Sequence, residues 1–260
     1  MNCKICNQGT AVIGAGLVLG RYHTEYLRCS HCGFVQTDEP VWLPEAYSNA
    51  ITGSDLGLVR RNLTLATVCS SMIPVLFPEG RRFVDYGGGY GLFVRLMRDA
   101  GFDFVRYDPL CQNLFAQGLD AEIPNHPEYD LVTAFEVFEH LASPLADIAM
   151  MLKFGRSIFF STELIAPSPP SVDTWPYYGL EHGQHIAFYS LRTLQIIADT
   201  FDLHLYTNAQ SLHLLTERQI PARLYRLLLH RRIAALIQPL LRRKSLLDDD
   251  VRYRLAQSPP

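Results

Sequence analysis

The chain has 260 residues, 48% hydrophobic and 19% charged, with a formal net charge of −3. That is ordinary globular material for one large domain with an appendage, or for two modest domains. It excludes a polycation built for nucleic acid. No apolar run reaches the length of a membrane span and no charged-then-apolar leader stands at the start, so a cytoplasmic protein is the default expectation.

Four of the six cysteines fall in two matched knuckles, Cys3-x-x-Cys6 and Cys29-x-x-Cys32. A single C-x-x-C reads equally as a redox dithiol, but two matched ones form the tetrahedral thiolate set that Zn²⁺ prefers. With all four positions held by protein, such a zinc is structural and has no open position for chemistry. Small residues after each knuckle, in "CNQG" and "CGFV", let backbone amides turn toward the sulfurs. "VIGAGLVLG" and "HTEYLRC" read as a β-hairpin between the knuckles, giving a zinc ribbon over residues 1–45 that is too small to fold without its metal. Cys69 and Cys111 stand alone and read as buried thiols. "DEPVWLPEAYSNAITGSD" reads as a linker, with Tyr47 an aromatic candidate for substrate contact. It leads into a helix from Asp55 to Met72, for which Ser54 is the expected N-cap.

The stretch "RRFVDYGGGYGLFVRLMRDAG" is a short apolar strand, a glycine-rich turn and an amphipathic helix closed by Gly101. Gly87, Gly89 and Gly91 permit positive φ, and with Gly88 they bare the main chain so that a ligand can lie on it. The helix N-terminus adds amide donors. The pattern departs from the G-x-G-x-x-G of dinucleotide sites, and Asp85 precedes it. A carboxylate there repels pyrophosphate but suits an ammonium group, such as that of the amino-acid portion of S-adenosyl-L-methionine. The next strand, "FDFVRYD", ends in Asp108 before Pro109. A carboxylate at that strand tip can accept the ribose hydroxyls of an adenosine, or simply make a turn.

"VDYGGGYG", then "YD", then "YDLVTAFEVFEHL" resemble the class I S-adenosylmethionine-dependent methyltransferases over residues 80–216. With its N-terminal knuckles the chain is similar to the sugar C-methyltransferases and related polysaccharide-cluster methyltransferases. The resemblance implies an α/β fold with a Rossmann-like, mostly parallel sheet and an antiparallel last strand. It divides the chain into a ribbon (1–45), a cofactor-binding domain (46–216) and a helical tail (217–260). The cofactor contacts it implies are Asp85, Gly87, Gly88, Gly89, Gly91, Asp108, Pro109, Phe135 and Glu136.

"YDLVTAFEVFEHL" begins as a buried parallel strand and breaks into polar residues at its carboxyl end, where open α/β sheets bind ligands. Glu136, Glu139 and His140 cluster there. A solvated helix start is the favoured reading; similar E-x-x-E-H patterns in quinone O-methyltransferases imply a divalent ion. "RSIFFSTEL" is a further strand. The insertion that follows, residues 164–184, carries Pro167, Pro169, Pro170, Pro176, Trp175, Tyr177 and Tyr178, and reads as a stiff aromatic loop, not a helix. Its aromatics suit stacking on a sugar ring, and equally a hydrophobic lid packed on the domain. His182, Gln184 and His185 cluster just before a helix with Ser190 as N-cap. In the sugar C-methyltransferases an acidic residue–His–x–x–aromatic–aromatic–Ser arrangement implies the catalytic base. His185-Ile-Ala-Phe-Tyr189-Ser190 matches it, with Gln184 in place of the acid; a structural histidine is the alternative. Tyr189 joins the aromatic substrate candidates. "FDLHLYTNAQSLHLLT" reads as an antiparallel hairpin at the sheet edge.

From Arg218 to Lys244 the chain turns basic, with leucines and isoleucines at helical spacing. Pro239 predicts two short helices, whose apolar faces pack on the domain or lie on an anionic membrane surface. Asp248, Asp249 and Asp250 would be repelled by such a membrane, and the last residues, "AQSPP", are expected to fray. The combined reading is a cytoplasmic methyltransferase, with peripheral membrane association open. It acts on a sugar, nucleotide-linked or in a bacterial surface glycan. S-adenosyl-L-methionine and structural zinc are its cofactors, and His185 its candidate base. An O-methyltransferase of a quinone-like small molecule is the alternative. A zinc-module rRNA methyltransferase fits the acidic balance poorly, and a non-catalytic docking protein is the remaining rival. Carbon versus oxygen methylation and the oligomeric state stay open.

Overall fold

Apolar runs bounded by turn residues give two sheets in the computed structural model, which describes residues 1–48, 55–241 and 243–257. The smaller sheet contains β1 (Thr10–Val18), β2 (Tyr22–Cys29), β3 (Val35–Thr37) and β8 (Ala187–Phe188), in that order. The larger has β4 (Arg82–Tyr86), β5 (Asp103–Tyr107), β6 (Leu131–Ala134), β7 (Ser157–Ser161), β9 (His204–Thr207) and β10 (Leu212–Thr216). Its order is β5-β4-β6-β7-β10-β9; β4 pairs in parallel with β5 and β6, and β9 pairs antiparallel with β10. Crossover helices between strands make this the expected Rossmann-like α/β arrangement.

The chain forms two compact units. One comprises Met1–Thr52, Ala134–Leu152 and Phe159–Arg218; the other comprises Gly53–Thr133, Lys153–Ile158 and Gln219–Pro260.

In the first unit the expected hairpin is β1 with β2, bulged between Val12 and Gly14. The insertion lies against it: Tyr26, Val35, Ile165, Val172, Tyr178 and Phe188 form one buried cluster, with Trp175 and Tyr177 packed on it. Val172 and Leu180 come so close to β1 that a Cβ at Gly14 or Gly16 would stand 2.8 Å from them. The "GAG" of β1 is therefore a packing requirement. The insertion is loop, as expected, apart from one 3₁₀ turn at Pro176–Tyr178. The expected linker is packed as well. It contains α1 (Leu43–Ala46), and buried Trp42 donates from Nε1 to the Gly183 carbonyl at 2.7 Å. α4 (Pro144–Phe154) is a helix that the sequence reading did not name. α5 (Leu191–Thr200) starts at Ser190 with a full capping box to Thr193, as the N-cap reading required.

In the second unit, α2 runs over Leu58–Leu76 with Gly57 at its N-cap, later at both ends than expected, and Ser54 lies outside the described residues. α3 (Leu92–Asp99) follows β4 and is closed by Gly101 at φ +87°. The basic stretch holds the two short helices expected, but the break between them is not at Pro239. α6 (Ala222–Leu228) and α7 (Arg231–Ile237) break at His230, which is extended, while Pro239 sits harmlessly in a 3₁₀ turn, Gln238–Leu241. Both helices pack on α2, burying Tyr225, Leu228 and Ala234 and leaving their arginines exposed, with Leu236 and Leu240 also outward. Among the described residues no helix is long and apolar enough to cross a membrane.

α8 (Leu247–Gln257) begins with three aspartates, which suit a helix N-terminus. Asp250 accepts from Nη2 and Nε of Arg98, at 2.6 and 2.9 Å, and from Nη1 of Arg95 at 2.8 Å. Burial alone would raise its pKa, but the two arginines outweigh it and hold the carboxyl below its ordinary range. Removing one member of such a pair strands the other charge. Asp250→Ala is expected to cost about 3 kcal/mol in urea unfolding, whereas Asp249→Ala, whose side chain is 53% exposed, stays within about 0.5 kcal/mol.

Candidate functional site

The glycine turn belongs to the second unit. Gly87, Gly89 and Gly91 adopt φ of 69°, 53° and 82°, the left-handed region anticipated from the sequence. Gly88 is needed for a different reason: a Cβ there would lie 2.7 Å from Arg106 Cγ and 2.8 Å from Asp85 Oδ2. Asp85 is 4% exposed and its Oδ1 accepts from Thr133 Oγ1 at 2.6 Å. Burial pushes its pKa up to about 7, against the Thr133 hydrogen bond and the charge of Arg106, with Asp108 adding to the rise. A bare backbone beside a buried, poorly neutralised carboxylate is a cradle for a small cationic group.

Asp108 performs the turn role as well. Its Oδ2 accepts from the Gly89 amide at 2.8 Å, and Oδ1 from Leu110 and Cys111 at 2.9 and 3.0 Å. Pro109 is exposed and Cys111 only half-buried, not the buried thiol expected. Arg106, which the sequence reading passed over, is the residue that organises this region. It is 4% exposed and donates to the carbonyls of Gly89 and Cys111 and to Asp120 Oδ1. Its signal was an arginine inside the apolar strand "FDFVRYD", which has to be paired.

The first unit holds the cysteines. Their sulfurs lie within 4.8 Å of one another, with Cys3–Cys32 and Cys6–Cys29 each at 3.5 Å. A tetrahedral zinc with bonds of about 2.3 Å needs sulfurs about 3.8 Å apart, so the set fits. The Cys3 thiol is pulled down to about 5 by its bond to Cys32, which is pushed up by the same bond. Two sulfurs share one proton where a cation would displace it. The Ile5 amide donates to Cys3 Sγ at 3.4 Å, and Asn7 and Gly33 have positive φ, as the turn residues after each knuckle required.

The histidine segment is in the same unit and is tied to the ribbon. β3 pairs with β8 through Val35↔Phe188 and Gln36↔Ala187, and the Cys32 carbonyl accepts from Ser190 Oγ at 2.6 Å and Thr193 Oγ1 at 2.9 Å. His185 Nδ1 lies 2.6 Å from the Tyr177 carbonyl. A carbonyl only accepts, so Nδ1 carries a proton and donates it to Tyr177. The ring stands 4.9 Å from His140, 4.7 Å from His182 and 4.8 Å from Tyr177, centroid to centroid. Tyr47, from the short helix region, bonds His140 Nδ1 through its hydroxyl at 3.0 Å.

Several expected contacts are used otherwise. Gln184 is buried, its side chain donating to the Ala46 carbonyl and its amide to His182 Nδ1. Tyr178 and Tyr189 are core residues whose hydroxyls bond the carbonyls of Pro170 and Phe138, which removes them from a substrate-facing role. Trp175 and Tyr177 stay partly exposed. Phe135 packs edge-on to Phe159. Glu136 has φ 55°, a costly conformation for a non-glycine residue, and Ser161 Oγ holds it by accepting from its amide and donating to its carboxylate. Glu139 is fully buried, not at a solvated helix start.

Residues 60–208 match the family described as "Methyltransferase domain". No curated protein matches the chain. Among solved structures, an O-methyltransferase family protein from Burkholderia thailandensis is 13% identical at TM-score 0.47, covering 63% of this chain and 58% of its own. The chain thus spans little more than half of that protein. The plantazolicin methyltransferase BpumL in complex with SAH is 12% identical at TM-score 0.47, covering 67% and 90%. An O-methyltransferase family 2 protein from Planctomyces limnophilus, in complex with apigenin, is 16% identical at TM-score 0.41, covering 67% and 66%.

Gly88→Ala tests the tight turn. Arg106 is held by several hydrogen bonds and cannot yield, so the added methyl group is expected to cost about 1–3 kcal/mol in urea unfolding.

Proposed function

The chain belongs to the methyltransferase-domain family, and from that premise we propose that it transfers the methyl group of S-adenosyl-L-methionine to a sugar, nucleotide-linked or in a surface glycan. When bound, S-adenosyl-L-methionine supplies a sulfonium methyl group open to nucleophilic displacement. The observation that carries the reading is the bare turn from Gly87 to Gly91 beside buried Asp85. Asp85 holds the donor's ammonium group, and the turn leaves room for its amino-acid portion. Asp108, which already fixes the Gly89 amide, offers its carboxylate edge to the ribose hydroxyls.

In the first unit His185 is the residue through which the acceptor is activated. The Tyr177 carbonyl takes the Nδ1 proton, which makes Nε2 the ring atom that would take up a proton or a cation. Trp175 and Tyr177, partly exposed and 5.1 Å apart by ring centroids, are suited to stacking on a sugar. The resemblance to the sugar C-methyltransferases supports the same acceptor class. The four cysteines hold a structural zinc, and their unpaired thiols suit a reducing, cytoplasmic compartment.

Calorimetry with S-adenosylhomocysteine tests the donor site. Asp85 must be ionised to hold an ammonium group, and in the free protein it is half-protonated near pH 7. Affinity is therefore expected to fall about fivefold from pH 7 to 6 and about tenfold from 6 to 5. Asp85→Asn binds weakly at every pH with no such slope. A flat profile in the unaltered protein contradicts the assignment. For the ribbon, Cys32→Ser is expected to lose the tightly held zinc in metal analysis and to lower the unfolding midpoint.

A further inference from the structure

Glu139 is buried completely, and neither carboxylate oxygen makes a hydrogen bond of good geometry, although the hydroxyls of Tyr177 and Thr162 stand near enough to steady its charge in part. A carboxylate in that state is costly unless it is protonated or neutralised by a cation. Its surroundings favour the second. Glu139, His140 and His185 each bring one ligand atom to a group in which all such atoms lie within 4.8 Å. Each imidazole has one nitrogen anchored on an oxygen: His185 bonds the Tyr177 carbonyl through Nδ1, and His140 bonds the Tyr47 hydroxyl through Nδ1, with the Gln184 backbone also beside the His140 ring. Anchoring one ring nitrogen to an oxygen is how a metal-bound histidine is normally oriented.

We propose that Glu139, His140 and His185 bind a divalent first-row transition ion, separate from the ribbon zinc, and that this ion activates the acceptor hydroxyl. Two imidazoles and one carboxylate favour Zn²⁺, Mn²⁺, Fe²⁺ or Co²⁺ over Mg²⁺ or Ca²⁺, and three protein ligands leave a position open for an acceptor oxygen. Bonds of about 2.1 Å put ligand atoms about 3.4 Å apart, so atoms that lie within 4.8 Å of one another have to close in by no more than about 1.4 Å, within the reach of side-chain rotation. The ligands differ from those the E-x-x-E-H pattern indicates, because the Glu136 carboxylate is bonded to Ser161.

The role of the ion rests on the methyltransferase reading; its binding does not. At an acceptor hydroxyl, coordination lowers the O–H pKa and the proton passes to water. The oxygen then forms its bond to the methyl carbon as the sulfonium–carbon bond breaks, and that electron pair stays on sulfur.

The competing account is a glutamic acid that simply stays protonated, and it binds no ion. Full-length protein carrying one equivalent of zinc is titrated with Co²⁺ alone. One further equivalent is expected, with ligand-field absorption and no sulfur-to-cobalt charge transfer. Glu139→Gln and His140→Ala should each weaken it at least about tenfold, while S-adenosylhomocysteine affinity stays unchanged and reports that the variants are folded. No second equivalent, or one that survives Glu139→Gln, overturns the site. If S-adenosylhomocysteine does not bind even the unaltered protein, the methyltransferase reading fails and the cobalt result still decides the metal.

Discussion

The first unit depends on two residues of backbone pairing. Val35 and Gln36 of the ribbon bond Phe188 and Ala187, and the histidine segment is thereby an edge strand of the ribbon sheet. Alternation makes the register strict: a slip of one residue would turn buried Phe188 and Tyr189 to the wrong faces. The same junction is locked at its end, where the Cys32 carbonyl takes hydroxyl donors from Ser190 and Thr193. A thiolate knuckle thus fixes a helix N-cap, and the helix N-cap fixes the strand that follows His185. A zinc held by the four cysteines, as proposed, would do no chemistry and would steady the backbone that leads into the histidine segment.

In the second unit the corresponding constraint is Arg106. It satisfies carbonyls on the glycine turn and on the loop after β5 while pairing with Asp120. This removes the freedom that a run of glycines would otherwise have, and a preformed cradle loses less entropy on binding. Asp85 is held in the same region without a full counter-charge. Its carboxylate is stabilised only in part by Thr133, which favours a ligand that brings the missing positive charge.

What the sequence made visible were features encoded locally. Matched knuckles, positive-φ glycines, a Ser N-cap and apolar strand runs each act within a few residues, and each stands where expected. What it hid depended on distant partners. Tyr178 and Tyr189 looked like substrate aromatics, because nothing local shows that the Pro170 and Phe138 carbonyls take their hydroxyls. Gln184 looked catalytic because it precedes His185, yet it is spent on Ala46. Placing the helix break at a proline failed in the tail: Pro239 fits a 3₁₀ turn, and the break falls at His230. Asp250 seemed one of three like charges until α8 brought it to Arg98.

The claim that the ribbon sets the histidine segment is tested most directly by amide hydrogen exchange in the unaltered protein and in a Cys3→Ser, Cys6→Ser double variant. Loss of protection is predicted over residues 185–190 in the variant, with strand β4 as protected as before. Unchanged protection over 185–190 without the thiolate pair would show that the segment holds its place by other means, and would contradict the account.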